Sequence, residues 1–323
     1  MFVSVIIPVY NVEPFIGRCI QSVKRQIEGV DGEVILVDDC GSDNSLAIAH
    51  EVLGDSPNVR IVKHERNRGL SAARNTGLSV ANGDYVLFVD SDDILADDCI
   101  SKFIELKEEY PDADVIVGQF DEFEEEGSCH TSKWKQHGGL YVNDVIVPYL
   151  NWDIPVTAWN KLCRRSFLLE NDLTFEEGLV HEDALWSFQV ACMAHKVVVA
   201  DKVTYHYRQR KGSLDKQDNT LLHLEHYVRV NALQCQFVFK TGLEHDSRLY
   251  RFLDQQRYQL LADACKADAA CARRLYRLLR GYPYWTLYQR TVDMFVSIKI
   301  WLRALHWSLP VNLGFSVFKS SCK

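Results

Sequence analysis

Short apolar runs alternate with helical stretches through the first 120 residues, and this alternation limits the fold more than any other feature. Val3–Val9 and Glu33–Val37 are apolar runs rich in β-branched residues, as strands buried on both faces are. Between them, Glu13–Gln26 carries apolar residues at helical spacing. The order continues with helices predicted over Ser45–Leu53 and Leu70–Ala81 and strands over Val59–Val62 and Tyr85–Val89. Such alternation predicts βαβ units and a mainly parallel sheet flanked by helices, the Rossmann-like α/β class.

The pattern changes twice further along the chain. From about residue 110 to 210 it is less regular, with short strands predicted at Val115–Gly118 and Lys196–Ala200. Beyond about residue 215 it is helical. A length of 323 residues exceeds the usual size of one domain. We therefore predict an α/β domain over residues 1–215 and a helical C-terminal region over residues 216–323.

Composition excludes several classes of protein. A hydrophobic fraction of 47% and a charged fraction of 25% are typical of soluble globular chains. Ten cysteines occur without a C-x-x-C pair, which favours reduced thiols over a disulfide framework. The first residues lack the features of a signal peptide, and no apolar run reaches the roughly 18 residues of a spanning helix. These features predict a cytoplasmic protein.

Charge is distributed unevenly along the chain. From residue 201 onward 20 Lys and Arg stand against 10 Asp and Glu, a net charge of +10. The preceding residues hold 16 against 34, a net charge of −18. Opposite charges attract different partners, so we expect a metal cation for the acidic part and an anionic surface for the basic part.

Acidic clusters follow two of the predicted strands. Asp90 and Asp92 come directly after the run that ends at Val89, and Asp38 and Asp39 end another run. Two carboxylates one residue apart on an extended segment point the same way and suit a hard divalent cation. Alternatively, these residues are caps and turn formers, for which Asp is also favoured. Since ligands of parallel sheets bind at the carboxyl ends of the strands, the two clusters are expected on one crevice.

Four motifs occur in order within the first 100 residues: VIIPVYN over Val5–Asn11, ILVDDCGS over Ile35–Ser42, NRGLSAARN over Asn67–Asn75 and FVDSDD over Phe88–Asp93. Together they resemble the family 2 glycosyltransferases, which are inverting enzymes of the GT-A fold. The resemblance is dense to about residue 100 and thinner to about residue 215. It implies a nucleotide-binding half over residues 1–100 and an acceptor-binding half over residues 101–215.

The resemblance implies roles for the matching positions. Asp39 is expected to bind the base, usually uracil, and Asp90 to approach the ribose or the metal. Asp92 is expected to be the principal ligand of Mg²⁺ or Mn²⁺. The remaining implied contacts to the nucleotide are Pro8, Tyr10, Asn11 and, near the diphosphate, Arg74. The family's usual Asp-Asp-Gly-Ser is read here as Asp-Asp-Cys-Gly-Ser, one residue longer, which alters the base-binding loop.

The general base is expected later in the chain. The segment HEDALW from His181 to Trp186 resembles the family's Glu-Asp motif, which implies that Asp183 deprotonates the acceptor hydroxyl beside Glu182. On their own, both acids would also suit the first turn of a helix.

Further acceptor-side positions follow by analogy. Trp159 and Lys161 belong to a motif near the active site in related enzymes, and Trp159 either stacks on a sugar or packs in the core. The segment YHYRQR from Tyr205 to Arg210 resembles a loop that closes over the diphosphate. It implies His206 as an added metal ligand and Arg208 or Arg210 as a phosphate contact, the alternative being a basic surface loop. We interpret His223 and His226 as surface or packing residues.

Thr286–Pro310 combines Trp, Phe, Ile and Leu with basic residues. Such a segment lies in a membrane interface or packs as a core helix, and we favour the membrane. Nucleic acid is not expected as a partner, because the basic residues are interleaved with apolar ones and no recognition motif occurs.

The sequence thus predicts transfer of a sugar from a nucleotide-sugar donor, with UDP favoured, to a saccharide or lipid-linked saccharide. Peripheral attachment at the inner face of the membrane is compatible with this reading. A sugar-nucleotide pyrophosphorylase would require a Gly-rich basic loop after the first strand, and Pro8–Asn11 does not provide one. A non-catalytic scaffold is the other alternative.

Overall fold

The structure is a computed structural model that describes residues 1–124, 138–210, 220–285 and 305–321. The chain divides into two compact units. The first comprises Met1–Gly178 and Glu182–Lys216, and the second comprises Leu179–His181 and Gln217–Lys323.

In its described residues, the first unit is a nine-stranded sheet with helices. Its elements are β1 (Val3–Val9), α1 (Glu13–Ile27), β2 (Gly32–Asp38), α2 (Ser45–Leu53), β3 (Val59–Lys63), α3 (Leu70–Val80), β4 (Tyr85–Phe88), β5 (Ile94–Leu95), α4 (Cys99–Glu109), β6 (Val115–Phe123), β7 (Gly139–Val142), α5 (Ile146–Leu150), β8 (Lys161–Arg164), α6 (Arg165–Glu170), α7 (Glu182–Met193) and β9 (Lys196–Arg208). The strand order is β3-β2-β1-β4-β8-β6-β9-β5, and β7 also pairs with β9. The predicted α/β class is confirmed.

The nucleotide-binding half predicted from the sequence contains four neighbouring parallel strands. Strands β3, β2, β1 and β4 are neighbours and run parallel. Every residue of β1 is buried, which explains the nearly continuous apolar run of its sequence. Helix α3 packs against β1 at Gly77, where a Cβ would lie 2.3 Å from Cγ2 of Ile6. This close approach brings α3 and its polar side chains against the sheet.

The remaining strands differ most from the sequence prediction. Strands β6 and β9 are parallel partners and are longer than the predicted Val115–Gly118 and Lys196–Ala200. The pair contains register shifts between Val117 and Phe120. Tyr205 to Arg208 therefore lies in a strand, not in the loop expected from the family resemblance, because these residues pair with β6 and β5.

The second unit is helical. It contains α8 (Thr220–Lys240), α9 (Ser247–Ala267), α10 (Ala269–Leu279), a short 3₁₀ helix (Leu305–Ser308) and α11 (Val311–Ser321). An apolar core that includes Val228, Leu261, Tyr276 and Phe318 holds these helices together. Most of the predicted membrane-interface segment, Thr286–Pro310, lies outside the described residues. None of the described helices combines the length and apolar character needed to cross a bilayer.

Candidate active site

The acidic and polar residues that follow β1, β2 and β4 meet at the carboxyl edge of the parallel strands. Asn11 follows β1 and has a left-handed backbone, with a φ of 49°. Its Oδ1 accepts a hydrogen bond of 2.8 Å from the backbone N–H of Ser42, in the turn after β2. The side chain of Asn11 thus joins the loops after two neighbouring strands, as expected for a crevice at this edge.

The carboxylate of Asp39 organises the next turn of the chain. Its two oxygens accept backbone N–H bonds of 2.8 Å from Arg68 and from Gly69. Nδ1 of His64 lies 2.7 Å from Oδ1 of Asp39, and Nε2 of the same ring lies 2.9 Å from the hydroxyl of Thr76. Asp39 is buried. The residue predicted to bind the base therefore also anchors the entrance to α3, and no sequence motif pointed to His64.

The other predicted nucleotide contacts differ in accessibility. Tyr10 is 46% exposed, so its ring can receive a ligand. Pro8 lies inside β1 opposite Val37 and is buried. Cys40 is exposed and has a φ of 62°, a left-handed conformation that glycine adopts most readily. Cys40 therefore stands at a backbone position that suits glycine.

Arg74 on α3 is the central side chain of the site. It is 2% exposed, and its guanidinium lies 2.7 Å from Oδ1 of Asp90 and 2.6 Å from Oε1 of Glu182. The guanidinium also lies over the ring of Phe175, 5.2 Å from its centroid. Burial opposes the charged form, but the carboxylates of Asp90 and Glu182 outweigh it and raise the pKa of Arg74. Arg74 thus binds two carboxylates rather than facing solvent.

The Arg74 bridge connects the acidic turn at Asp90 with the Glu-Asp motif at Glu182. Asp90 follows β4, and Glu182 begins α7. Glu182 is buried against Arg74, whereas Asp183, the next residue, is only partly buried. The negative charge of Asp183 also contributes to the raised pKa of Arg74. Of the two acids, Asp183 is therefore the more accessible.

Three carboxylates crowd the end of β4. Burial raises the pKa of Asp92, and the negative charge of Asp90 raises it further, while Arg210 opposes the shift. Asp93 is fully buried and accepts hydrogen bonds of 2.7 Å from the hydroxyl of Tyr205 and from the N–H of Arg208. Asp93 therefore fixes β9 to the acidic turn, a structural role that the sequence did not reveal.

Two arginines from the end of β9 approach Asp92 in different ways. Arg208 donates from Nε to the carbonyl of Asp92 at 2.8 Å, and its guanidinium packs over Phe15 and Phe123. Arg208 is buried. Arg210 forms an ion pair with the Asp92 carboxylate, with 2.6 Å between Nε and Oδ2. In this structure Arg210, not Arg208, is thus the arginine paired with the predicted metal ligand.

The donor set suits a hard divalent cation of the Mg²⁺ or Mn²⁺ type. Asp90 and Asp92 provide carboxylate oxygens, and their mutual repulsion would be relieved by a cation. Nδ1 of His206 lies 2.6 Å from Oδ1 of Asp121, a pairing common for histidines that bind metals through the other nitrogen. Among the described residues, no group of three or more His, Cys, Asp and Glu side chains converges on one point. Mg²⁺ commonly needs only one or two carboxylates together with substrate phosphates.

Trp159 and Lys161 lie inside the fold. Trp159 is 6% exposed, and its ring stacks on Tyr205 and Tyr207, with centroid distances of 4.4 and 5.2 Å. This arrangement matches the core alternative for Trp159, and stacking on a sugar would require the segment to move. Neither side chain is presented to a ligand at the surface of the site.

The ammonium group of Lys161 binds backbone carbonyls. Lys161 is 1% exposed, and Nζ donates to the carbonyls of Pro155, at 2.7 Å, and Thr157. The hydroxyl of Ser187 on α7 donates to the carbonyl of Val156 at 2.9 Å. Burial lowers the pKa of Lys161 to about 7. Lys161 therefore holds the segment before β8 instead of contacting an acceptor directly.

A histidine cluster belongs to the second unit. His181 has a φ of 67°, its Nε2 lies 2.9 Å from Nδ1 of His223, and its ring stacks on Tyr227. The backbone N–H of Val180 donates to Nδ1 of His226 at 3.0 Å. His223 and His226 thus pack against the segment that leads into α7. Their sequence spacing on α8 could not reveal this distant partner.

Comparison with known proteins shows the family of this chain. The model of "Glycosyl transferase family 2" matches residues 4–168, half of the chain, and includes the strand-end motifs and Arg74. The chain belongs to glycosyl transferase family 2.

Several similar proteins are named as glycosyltransferases. Glycosyltransferase GlyA of Streptococcus pneumoniae is 33% identical over 66% of this chain, but the chain spans only 31% of the length of GlyA. The uncharacterized glycosyltransferase YibD of Escherichia coli is 29% identical over 94% of this chain and 91% of its own length. A fragment of Staphylococcus aureus TarS, solved with UDP-GlcNAc, superposes with a TM-score of 0.67 at 21% identity. That alignment covers 99% of this chain and 91% of the fragment, which confirms the predicted GT-A fold.

Removing the charge of Arg74 should destabilise the first unit. We expect Arg74→Met to lower the free energy of unfolding by about 3–5 kcal/mol, because it leaves the buried Glu182 and the partly buried Asp90 without this partner. The double variant Arg74→Met/Glu182→Gln should recover part of this loss, since one of those charges is then absent. Urea unfolding of the three proteins measures the effect. Equal stability of Arg74→Met and the parent protein would contradict the bridge.

Acidification should weaken the second unit through His226. Burial, followed by the charges of Arg229 and His223, lowers the pKa of His226. The unfolded histidine, with a pKa of about 6.5, therefore takes up a proton first as the pH falls. The contribution of His226 to the free energy of unfolding is fully present above about pH 6.5 and declines below it, because the protonated Nδ1 cannot accept from Val180.

His226→Asn should reduce this pH dependence, measured as the unfolding midpoint at about pH 7.5 and about pH 5.5. His50→Asn, at an exposed position on α2, is the control. A pH dependence unchanged in His226→Asn but altered in His50→Asn would show that other groups are responsible.

Proposed function

We propose that this chain transfers a sugar from a nucleotide-sugar donor to a hydroxyl group of a saccharide or a lipid-linked saccharide, with inversion at the anomeric carbon. The observation that carries the proposal is the buried bridge from Asp90 through Arg74 to Glu182. It supports a site in which the turn at Asp90 and the Glu-Asp motif at Glu182 are held together. A carboxylate beside the donor is what this chemistry requires.

In the proposed reaction Asp183 accepts the proton of the acceptor hydroxyl. The oxygen attacks the anomeric carbon as the bond to the nucleoside diphosphate breaks, so no covalent intermediate with the enzyme forms. Arg74 holds Glu182 in place and thereby positions the start of α7, where Asp183 lies. Glu182 is consequently a positioning residue in this proposal, and Asp183 is the catalytic base.

A divalent cation, Mg²⁺ or Mn²⁺, would be held by Asp92 with Asp90, and His206 is a further candidate ligand. When bound, such an ion supplies Lewis-acid neutralisation of charge on the departing diphosphate. Arg210 offers a second positive charge beside Asp92, and guanidinium groups suit phosphate oxygens. Tyr10 provides an exposed ring beside Asn11 for the nucleotide.

The relatives support a UDP-sugar as the first donor to test. The TarS fragment was solved with UDP-GlcNAc, and TarS is named as a poly(ribitol-phosphate) β-N-acetylglucosaminyltransferase. A protein of Bacillus spizizenii that is 30% identical over 64% of this chain is named as a poly(ribitol-phosphate) β-glucosyltransferase. These names favour a hexose or N-acetylhexosamine donor, and the acceptor in this proposal is a surface polysaccharide. Peripheral binding to a membrane remains part of the proposal.

Nucleotide binding tests the donor site. We expect UDP with Mn²⁺ to raise the melting temperature of the full chain, since a ligand at 100 times its Kd adds about 2.7 kcal/mol. EDTA and Asp92→Ala should each remove the shift. GDP, CDP and dTDP, measured in parallel, identify the base. A protein that responds to none of the four nucleotides would instead fit the scaffold alternative.

Substitution of the proposed base separates binding from chemistry. Asp183→Asn should lower the transfer rate by at least about 100-fold, the usual contribution of a general base, while the UDP-induced shift stays intact. Asp201→Asn, at an exposed carboxylate on β9, is the matched control and should retain activity. Transfer is measured as release of UDP in the presence of acceptor. Full turnover by Asp183→Asn would remove Asp183 from this role.

A further inference from the structure

The second unit contains a cationic pocket that the proposed reaction does not use. The pocket lies between the start of α10 and the later turns of α11 and has a volume of about 320 Å³. Its charged lining consists of Arg273, Arg274, Arg277 and Lys319. A volume near 300 Å³ is at the lower end of the range for small-molecule sites, so a compact ligand would fill it.

Among the described residues, most of this positive charge is not neutralised by neighbouring acids. Arg274 forms an ion pair with Glu225 on α8. For Arg273, Arg277 and Lys319, the described residues provide no ion pair, and α10 itself contains no acidic residue. Asp268, before α10, uses its carboxylate to accept the N–H groups of Ala270 and Cys271. Asp268 thus pairs with the backbone N–H groups at the start of α10. The positive charge of the pocket therefore comes from its arginine and lysine side chains and not from the helix end.

The pocket has a fixed aromatic wall. Phe315 on α11 is 2% exposed and lines the pocket. Its ring packs edge-on against Tyr276, with 5.6 Å between centroids, inside the core of the unit. The guanidinium of Arg273 lies 5.3 Å from the centre of the Phe315 ring. This contact orients Arg273 at a wall that the core holds in place.

We propose that this pocket binds a phosphate group. Three cations that have no ion pair in the described parts of the chain line one cavity, and arginine presents a planar set of donors that matches phosphate oxygens. The excess of basic residues in the C-terminal part of the sequence agrees with an anionic ligand. The phosphate belongs either to a soluble phosphate compound or to a lipid headgroup. The inference does not rest on the proposed sugar transfer.

The test compares two double variants of the full chain. Arg273→Gln/Arg277→Gln removes two pocket cations, and Arg251→Gln/Lys266→Gln removes the same charge from α9 of the same unit. In one arm, calorimetry at low salt measures binding of inorganic phosphate. In the other, co-sedimentation measures binding to vesicles of phosphatidylcholine, alone or mixed with phosphatidylglycerol. The UDP-induced thermal shift, recorded on each protein, reports folding and the donor site separately.

We expect the pocket variant to bind at least about tenfold more weakly than the control variant in whichever arm the parent protein binds. Loss in the phosphate arm identifies a soluble ligand, and loss confined to phosphatidylglycerol vesicles identifies a lipid headgroup. Absence of binding in both arms overturns the proposal. Equal binding by the two double variants also overturns it, and neither result bears on the donor site.

Discussion

A buried guanidinium, that of Arg74, joins separate parts of this fold. Arg74 would be costly to enclose alone, and two carboxylates from separate, later parts of the chain compensate its charge. Glu182 is 108 positions away from Arg74 in sequence. The β4 turn and the start of α7 must therefore assemble around the same charge. The need to compensate the charge of Arg74 therefore determines where Asp90 and Glu182 lie relative to each other.

The position of Arg74 depends in turn on Asp39. Gly69 has a φ of 87°, precedes α3 and donates its N–H to the Asp39 carboxylate. That carboxylate also lies against His64, which contacts Thr76 on α3. Two links from one side chain thus determine where α3 begins and how it is oriented. The residue predicted to bind the base and the arginine between the acidic motifs belong to one connected frame.

The parallel strands and their acidic ends were predictable from the sequence because both signals are local. Strand β1 and helix α2 begin and end at the predicted residues, because apolar runs and helical spacing can be read from residues that are neighbours in the sequence. The burial of Lys161 and Trp159 was not predictable, because it depends on Pro155, Tyr205 and other partners that only the assembled sheet supplies. The same reason hid Asp93, whose partners come from the distant β9. The functional roles of all these residues remain predictions.

Cys40 has a consequence of a different kind. Of the cysteines whose surroundings the structure describes, Cys40 is exposed, whereas the others are buried or partly buried. It stands beside Gly41, where a Cβ would approach the backbone nitrogen of Asn11 to 3.3 Å, at the edge of the crevice. A thiol-reactive dye would therefore label this loop in preference to the described buried cysteines. Cys40, which occupies a glycine-like backbone position, is thus a place at the edge of the crevice where a spectroscopic label can be attached.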